Sequence, residues 1–155
     1  MISPEIIELL NNPDLGFIYG TRDEHLQPAV GRSLGAKLSD DGTTMRVFSP
    51  KSISEEHIRN LQQNGMMSLT VGHLPTHKSL QFKGKFIKYE ECNEEDYQLL
   101  DRNVAAFKTL LGMAFGSQTI PLFEKIIYRP SVAIEFAVTD IFTQTPGPGA
   151  GKKVN

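Results

Sequence analysis

Tryptophan is missing from this 155-residue chain altogether, and cysteine occurs once, as Cys92. One thiol excludes an intramolecular disulfide and any Cys-rich metal site. Its acidic surroundings, Glu90, Glu91, Glu94 and Glu95, disfavour a thiolate, so no reactive nucleophile is expected there. An excess of positive charge is lacking too: 16 Lys and Arg face 18 Asp and Glu, a net charge of -2. Such a balance sets up no field that would gather a polyanion, and nucleic acid is not an expected partner. No apolar run approaches the ~20 residues that a membrane-crossing helix needs. The start, Met1-Ile2-Ser3-Pro4-Glu5, has no basic n-region. The expectation is a cytoplasmic protein with no membrane partner. Walker A, G-x-G-x-x-G, G-x-S-x-G and H-E-x-x-H patterns are all absent. His73 and His77 are four apart, but Pro75 between them denies the helical geometry of a metal pair, so no metal site is expected.

What the chain does contain is turn-forming residues, 13 Gly and 9 Pro, around short apolar runs. That balance favours strands over a helical bundle. Ser3, Pro4 and Glu5 open a first helix by capping, fixed φ and dipole complementarity, and Asn11-Asn12-Pro13 ends it. Strands are expected over Leu15 to Thr21, Pro28 to Lys37 and Thr44 to Ser49, the last after an Asp40-Asp41-Gly42 hairpin. Ser54-Glu55-Glu56 predicts a short helix closed by Gly65, and Met66 to Val71 a fourth strand. Lys78 to Tyr89 alternates apolar Leu80, Phe82 and Phe86 with polar Ser79, Gln81, Lys83 and Lys85, the period of a half-buried strand. Asn93 and Asp96 begin a longer helix in which Tyr97, Leu100, Val104, Phe107 and Leu111 repeat at core-packing intervals. A strand around Val132 to Thr139 follows. The order predicts a mainly β fold with flanking helices, a six-stranded antiparallel split barrel rather than a doubly wound sheet. Residues 1–144 are expected to form one domain. The Gly/Pro-rich stretch from Thr145 to Gly151 within the 145–155 tail cannot be helix or central strand, and reads either as an arm for ligand binding or dimer packing or as a disordered terminus.

Several of these segments, in order, resemble the pyridoxamine 5'-phosphate oxidase-like family of FMN-binding split barrels. Asp23 to Pro28 is similar to its D-x-x-G-x-P turn, and Met45-Arg46-Val47-Phe48-Ser49 to its L-x-F-x-T strand. His57 to Asn64 resembles its K-A-x-N-L-x-x-N helix, Met66 to Val71 the V-x-L-x-V strand, and Lys78 to Lys85 the R-Y-V-Q-I-R-G-R strand. The resemblance implies a flavoprotein with FMN as cofactor, held between the subunits of a homodimer. It further implies an oxidoreductase role with a small-molecule substrate or electron donor. On this sequence it places Arg32, Ser33 and Leu34 against the isoalloxazine ring. Ser49 and Lys51, with help from His57, would meet the phosphate. Lys78, Ser79 and Gln81 would meet the ring or ribityl chain.

One departure bears on the phosphate. Where the family carries S-R-K, this chain has Glu55, Glu56 and His57, and two carboxylates repel a phosphate at short range. Lys51, in a longer loop, is the cation that could replace the missing pair. The alternative is a non-catalytic binding or sensor module on the same barrel, holding haem or another small ligand, with His57, His73 or His77 as haem ligand. An empty structural dimer is the remaining option.

Overall fold

The computed structural model describes residues 2–125 and 127–154. In chain order it contains α1 (Pro4–Leu10), β1 (Leu15–Arg22), β2 (Pro28–Ser33), β3 (Ala36–Leu38), β4 (Thr44–Pro50), α2 (Lys51–Asn64) and β5 (Met66–His73). After these come β6 (Ser79–Glu91), α3 (Glu94–Phe115), α4 (Ile120–Phe123) and β7 (Ser131–Thr143). The strands form one seven-stranded antiparallel sheet in the order β2-β1-β5-β6-β7-β4-β3.

Seven strands replace the expected six because the segment from Pro28 to Lys37 is not continuous. It breaks at Leu34 and Gly35, so that β2 and β3 lie at opposite edges of the sheet although two residues separate them in sequence. The sheet must therefore curl until its edges meet, and it is joined there by single bonds instead of a ladder. Ser33 Oγ contacts the carbonyls of Phe48 at 2.7 Å and Gly35 at 2.6 Å, and the Phe48 N–H donates to the Gly35 carbonyl.

Inside the curl lies the main core, with Tyr19, Leu69, Phe82, Phe136 and Ile141 fully buried. The expected alternation of β6 holds through Phe86, with Leu80, Phe82 and Phe86 on the core and Lys83 and Lys85 exposed, while its register with β7 shifts at Lys83/Gly84 and Phe86/Lys88. Gly84 is required at the first, because a Cβ there would lie 2.0 Å from the Ala137 carbonyl oxygen.

Two helices fix the ends. α2 begins at Lys51, earlier than the Ser54 start expected from sequence; the Ser54 hydroxyl is buried in the first turn and donates to the Lys51 carbonyl instead of capping. Its buried Ser54, His57, Asn60 and Leu61 mark the face that packs on β1, β2 and β4. α3 opens with the capping box of Asn93 and Asp96, as the sequence indicates. Asp96 also accepts from Arg46, whose guanidinium reaches Glu90 and Glu135 as well, tying α3 to β4, β6 and β7.

The Gly/Pro segment is neither helix nor central strand. It turns back so that Lys153 bridges to Phe142, Gly151 and Val154 donate to β7 carbonyls, and Lys153 pairs with Asp140. This covers the stretch of β7 beyond the reach of β4, an edge otherwise open to strand pairing. Among the described residues no helix is long and apolar enough to cross a membrane.

Candidate functional site

Alternation along β1 and β2 gives these strands two different faces. Phe17, Tyr19, Thr21 and Ser33 turn inward; Gly16, Ile18, Val30 and Arg32 turn outward. Each face carries a cluster with chemical potential.

The inner cluster is polar and buried. The Tyr19 phenol shares a 2.6 Å hydrogen bond with the Ser49 hydroxyl, and the Tyr19 ring lies 4.5 Å from the His57 imidazole at a tilt of 59°. His57 Nδ1 is 2.9 Å from Thr21 Oγ1, which also accepts from the Asn60 amide. Burial sets the titration of both aromatic groups. It pushes the Tyr19 phenol up to about 12, against the lowering effect of Ser49, and it pulls His57 down, against the raising effect of Glu56. Gly31 completes the cluster, for a Cβ at that position would stand 2.2 Å from Tyr19 Cζ. No buried side-chain nitrogen or oxygen among the described residues lacks a partner.

The outer cluster is a cleft of about 500 Å3 over β1, β2 and β5, walled on one side by α3. Gly16 sits opposite Gly72 in the ladder, so neither brings a side chain to the floor, and Leu74 and Ser79 lean in against them, each 3.3 Å from where a Cβ would stand. Ile18, Val30, Leu34 and Leu74 supply an apolar lining, and Arg32 is its one charged residue. Asn103 locks α3 over the break in the sheet: its amide donates to the Leu34 carbonyl at 3.0 Å, and a Cβ on Gly35 would strike Leu99 at 2.8 Å. One turn farther on, Phe107 comes within 5.1 Å of the Arg32 guanidinium carbon.

The residues singled out from the sequence divide between several places. Arg32 and Leu34 reach the outer cleft with their side chains, whereas Ser33 lines it by backbone and sends its hydroxyl inward. Ser49 and His57 lie in the inner cluster, closed to solvent. Lys51 is on the surface, paired with Glu91 at 2.6 Å, and Glu55 and Glu56 are exposed nearby on α2. Lys78 and Ser79 border a second cleft with Glu5, Glu8, His73 and Thr145. Gln81 lies between, donating to Thr70 on the outer face. Of the histidines considered as ligands, His73 is engaged by Asn12 and Thr76, and His77 occupies a turn with φ of 58°. Among the described residues no group of three His, Cys, Asp or Glu is arranged to hold a metal ion. Burial, with Asp96 adding to it, pushes the Cys92 thiol up to about 12, which leaves it unreactive at neutral pH.

Tyr19, Thr21, Asn60, Asn103 and Phe107 are among the members of these clusters that sequence reasoning did not single out as site residues. Phe107 was readable only as one of a series of core-spaced helix residues, and its position beside Arg32 depends on the Asn103 contact across 69 residues.

No family model and no curated protein sequence matches the chain. Solved structures do. HupZ of Group A Streptococcus is similar over 97% of this chain and 100% of its own, with a TM-score of 0.56 at 21% identity. A putative pyridoxamine 5'-phosphate oxidase from Lactobacillus delbrueckii is similar over 91% and 93%, with a TM-score of 0.52 at 16% identity. An FMN-binding protein from Syntrophomonas wolfei is similar over 90% and 89%, with a TM-score of 0.50 at 12% identity. The chain shares the split-barrel fold of these proteins, in agreement with the resemblance carried by its sequence.

Proposed function

We propose that this chain binds a flavin, with FMN the first candidate, in the outer cleft over β1, β2 and β5, and that two copies enclose it as a homodimer. The observation that supports this most is the combination of a floor that includes the paired Gly16 and Gly72, apolar walls and one cation in a cleft of suitable size, on the fold of an FMN-binding protein. An isoalloxazine ring is planar and largely apolar with polar edges, and the residues present fit it. Arg32 and Leu34, with the backbone of Ser33, would hold the ring system, while Gln81 and Thr70 continue the polar row on the same face. A bound flavin would supply the redox chemistry of an oxidoreductase. The chain itself contributes binding, a dry apolar wall and the Arg32 charge.

A second reading has its own observation. Ser49, the hydroxyl expected at the phosphate, is taken by the Tyr19 phenol, and Lys51 by Glu91. Neither is available to a phosphate without rearrangement. This favours a binding module for a planar ligand without a phosphate group, such as riboflavin or haem, over an FMN enzyme.

The visible spectrum of the purified protein, with identification of any released ligand, separates the readings. A flavin spectrum, and a melting temperature raised by added FMN more than by riboflavin, supports the first. A Soret band, or equal stabilisation by riboflavin and FMN, supports the second. A colourless protein whose melting temperature no flavin or haem raises overturns both.

A further inference from the structure

We infer that Arg32, steadied by Phe107, is the group by which the outer cleft reads an anion, restricting its ligands to those that join an apolar body to a carboxylate, phosphate or sulfonate. The inference deepens the proposed use of this cleft as a ligand site but does not need the ligand to be a flavin.

The sequence of causes starts in β2, where alternation turns Arg32 away from the core and pairs it with Ile18 of β1. Asn103 anchors α3 at Leu34, and the next turn brings the Phe107 ring under the guanidinium at a distance typical of a cation–π contact. That contact engages the guanidinium without consuming its N–H donors, which lie in its plane. Among the described residues no carboxylate or carbonyl accepts from them. Arg46 and Arg129, by contrast, are both matched to carboxylates, Arg129 to Asp101 at 2.8 Å. The remaining lining of the cleft carries no charge, so nothing in it competes with or repels an anion at Arg32. A rigid fork beside an apolar wall is the arrangement that binds the head of an amphiphilic anion in bidentate fashion. A bond of that kind corresponds to roughly tenfold to hundredfold in affinity.

The test uses paired fluorescent probes on the full chain: 8-anilinonaphthalene-1-sulfonate and its uncharged counterpart N-phenyl-1-naphthylamine, with FMN and riboflavin in parallel. Wild type is expected to favour each anionic member over its neutral partner by about tenfold or more. Arg32→Gln, at an exposed strand position, is expected to melt as wild type does, to lose that preference, and to keep its affinity for the neutral probe. Arg32→Lys should retain only part of the preference, because an ammonium is a point charge without the fork. Competition by benzoate against phenyl phosphate then distinguishes a carboxylate from a phosphate as the favoured head. A preference that survives Arg32→Gln overturns the inference. So does loss of the dimer by Arg32→Gln in sedimentation, which would assign Arg32 to a carboxylate of the second copy. If both flavins fail to bind while the sulfonate preference holds and depends on Arg32, the flavin reading falls alone. If flavins bind but no anionic preference exists, the fork falls alone.

Discussion

β1 and β2 present the same two strands to two opposite environments, and the contrast separates stability from recognition. On the inner face Tyr19, Ser49, His57, Thr21 and Asn60 are hydrogen-bonded to one another and shut away from water. On the outer face Ile18 and Val30 are 55% and 74% exposed, Gly16 and Gly72 bring no side chain to the floor, and Arg32 has a stacking partner but no acceptor. Polar groups thus lie where apolar ones are the rule, and apolar groups face water. The inner cluster is affordable only because each hydroxyl, amide and imidazole has a partner. The outer surface is apolar and exposed, the character of surfaces that take a ligand or a second subunit. Perturbing the inner face should therefore cost stability and leave recognition alone, and perturbing the outer face should do the reverse.

The strongest way to break the contrast is Gly31→Val. The position is in β2, yet its missing Cβ points at the buried Tyr19 ring, which is hydrogen-bonded and has no room to withdraw. Overpacking of this kind is expected to cost about 3 kcal/mol, read as a lowered midpoint in denaturant unfolding. Val30→Ser, one residue away on the exposed face, should leave the midpoint unchanged. Equal effects from the two substitutions would mean that the faces are not distinct.

A smaller loss is expected from Tyr19→Phe, which keeps the ring but deprives the buried Ser49 hydroxyl of its close partner, leaving the Pro50 carbonyl at 3.4 Å. The cost should be about 1–2 kcal/mol, the penalty of a buried polar group left badly paired. The variant has a second use. It releases Ser49, so a gain in FMN binding relative to riboflavin would show that the phenol occupies the phosphate position.

The difference between the two faces also explains which parts of the molecule were legible in the sequence. Where polarity and burial agree, reading worked: Leu80 to Phe82 in β6, the Asp41-Gly42 turn with Gly42 at φ of 72°, and the Asn93/Asp96 capping box stand where pattern puts them. Where hydroxyls are internal, reading failed, since Ser33 and Ser49, which the resemblance places against a cofactor, make inward bonds to partners 15 and 30 residues away. The break at Leu34 and Gly35 was hidden for the same reason, being fixed by Ser33, Phe48 and Asn103 rather than by local propensity. The resemblance to FMN-binding split barrels carried the fold and pointed to β2. It could not show that the Tyr19 phenol engages the Ser49 hydroxyl, because nothing in the spacing of Tyr19 distinguishes it from any other inward residue of β1.

pH sharpens the comparison further. Burial holds the folded-state pKa of His57 below its ordinary value, so below about 6.5 the unfolded chain takes up a proton that the folded chain resists. The stability associated with neutral His57 is therefore complete above that pH and is lost as pH falls through the folded value. The ceiling on the slope is about 1.4 kcal/mol per pH unit. Urea unfolding at pH 7.5 and 5.5 should show a fall in wild type that is smaller in His57→Gln, whose amide can still meet Thr21 but cannot titrate. An identical fall in both would assign the pH dependence to other groups.

The smallest effect is expected from Lys51→Ala, and its smallness is informative. Lys51 was the sequence's replacement for the cations that Glu55 and Glu56 displace, and a phosphate bound there would make the substitution costly for FMN alone. In the structure its ammonium is solvent-exposed and paired with Glu91, an arrangement that contributes little to stability because water screens both charges. Its hydrogen bond to Glu91, reinforced by the Glu91 charge, raises its pKa, so it stays a cation, already matched, through the neutral range. The outer cleft contains Arg32 and not Lys51. If the anionic end of the ligand is read in that cleft, Lys51→Ala should change neither the melting temperature nor the ratio of FMN to riboflavin affinity beyond about twofold, while Arg32→Gln abolishes any excess for FMN. A tenfold loss of FMN affinity in Lys51→Ala with riboflavin unaffected would move the phosphate to the start of α2. It would require the Lys51–Glu91 pair to open on binding, and would make the inner and outer faces parts of one site.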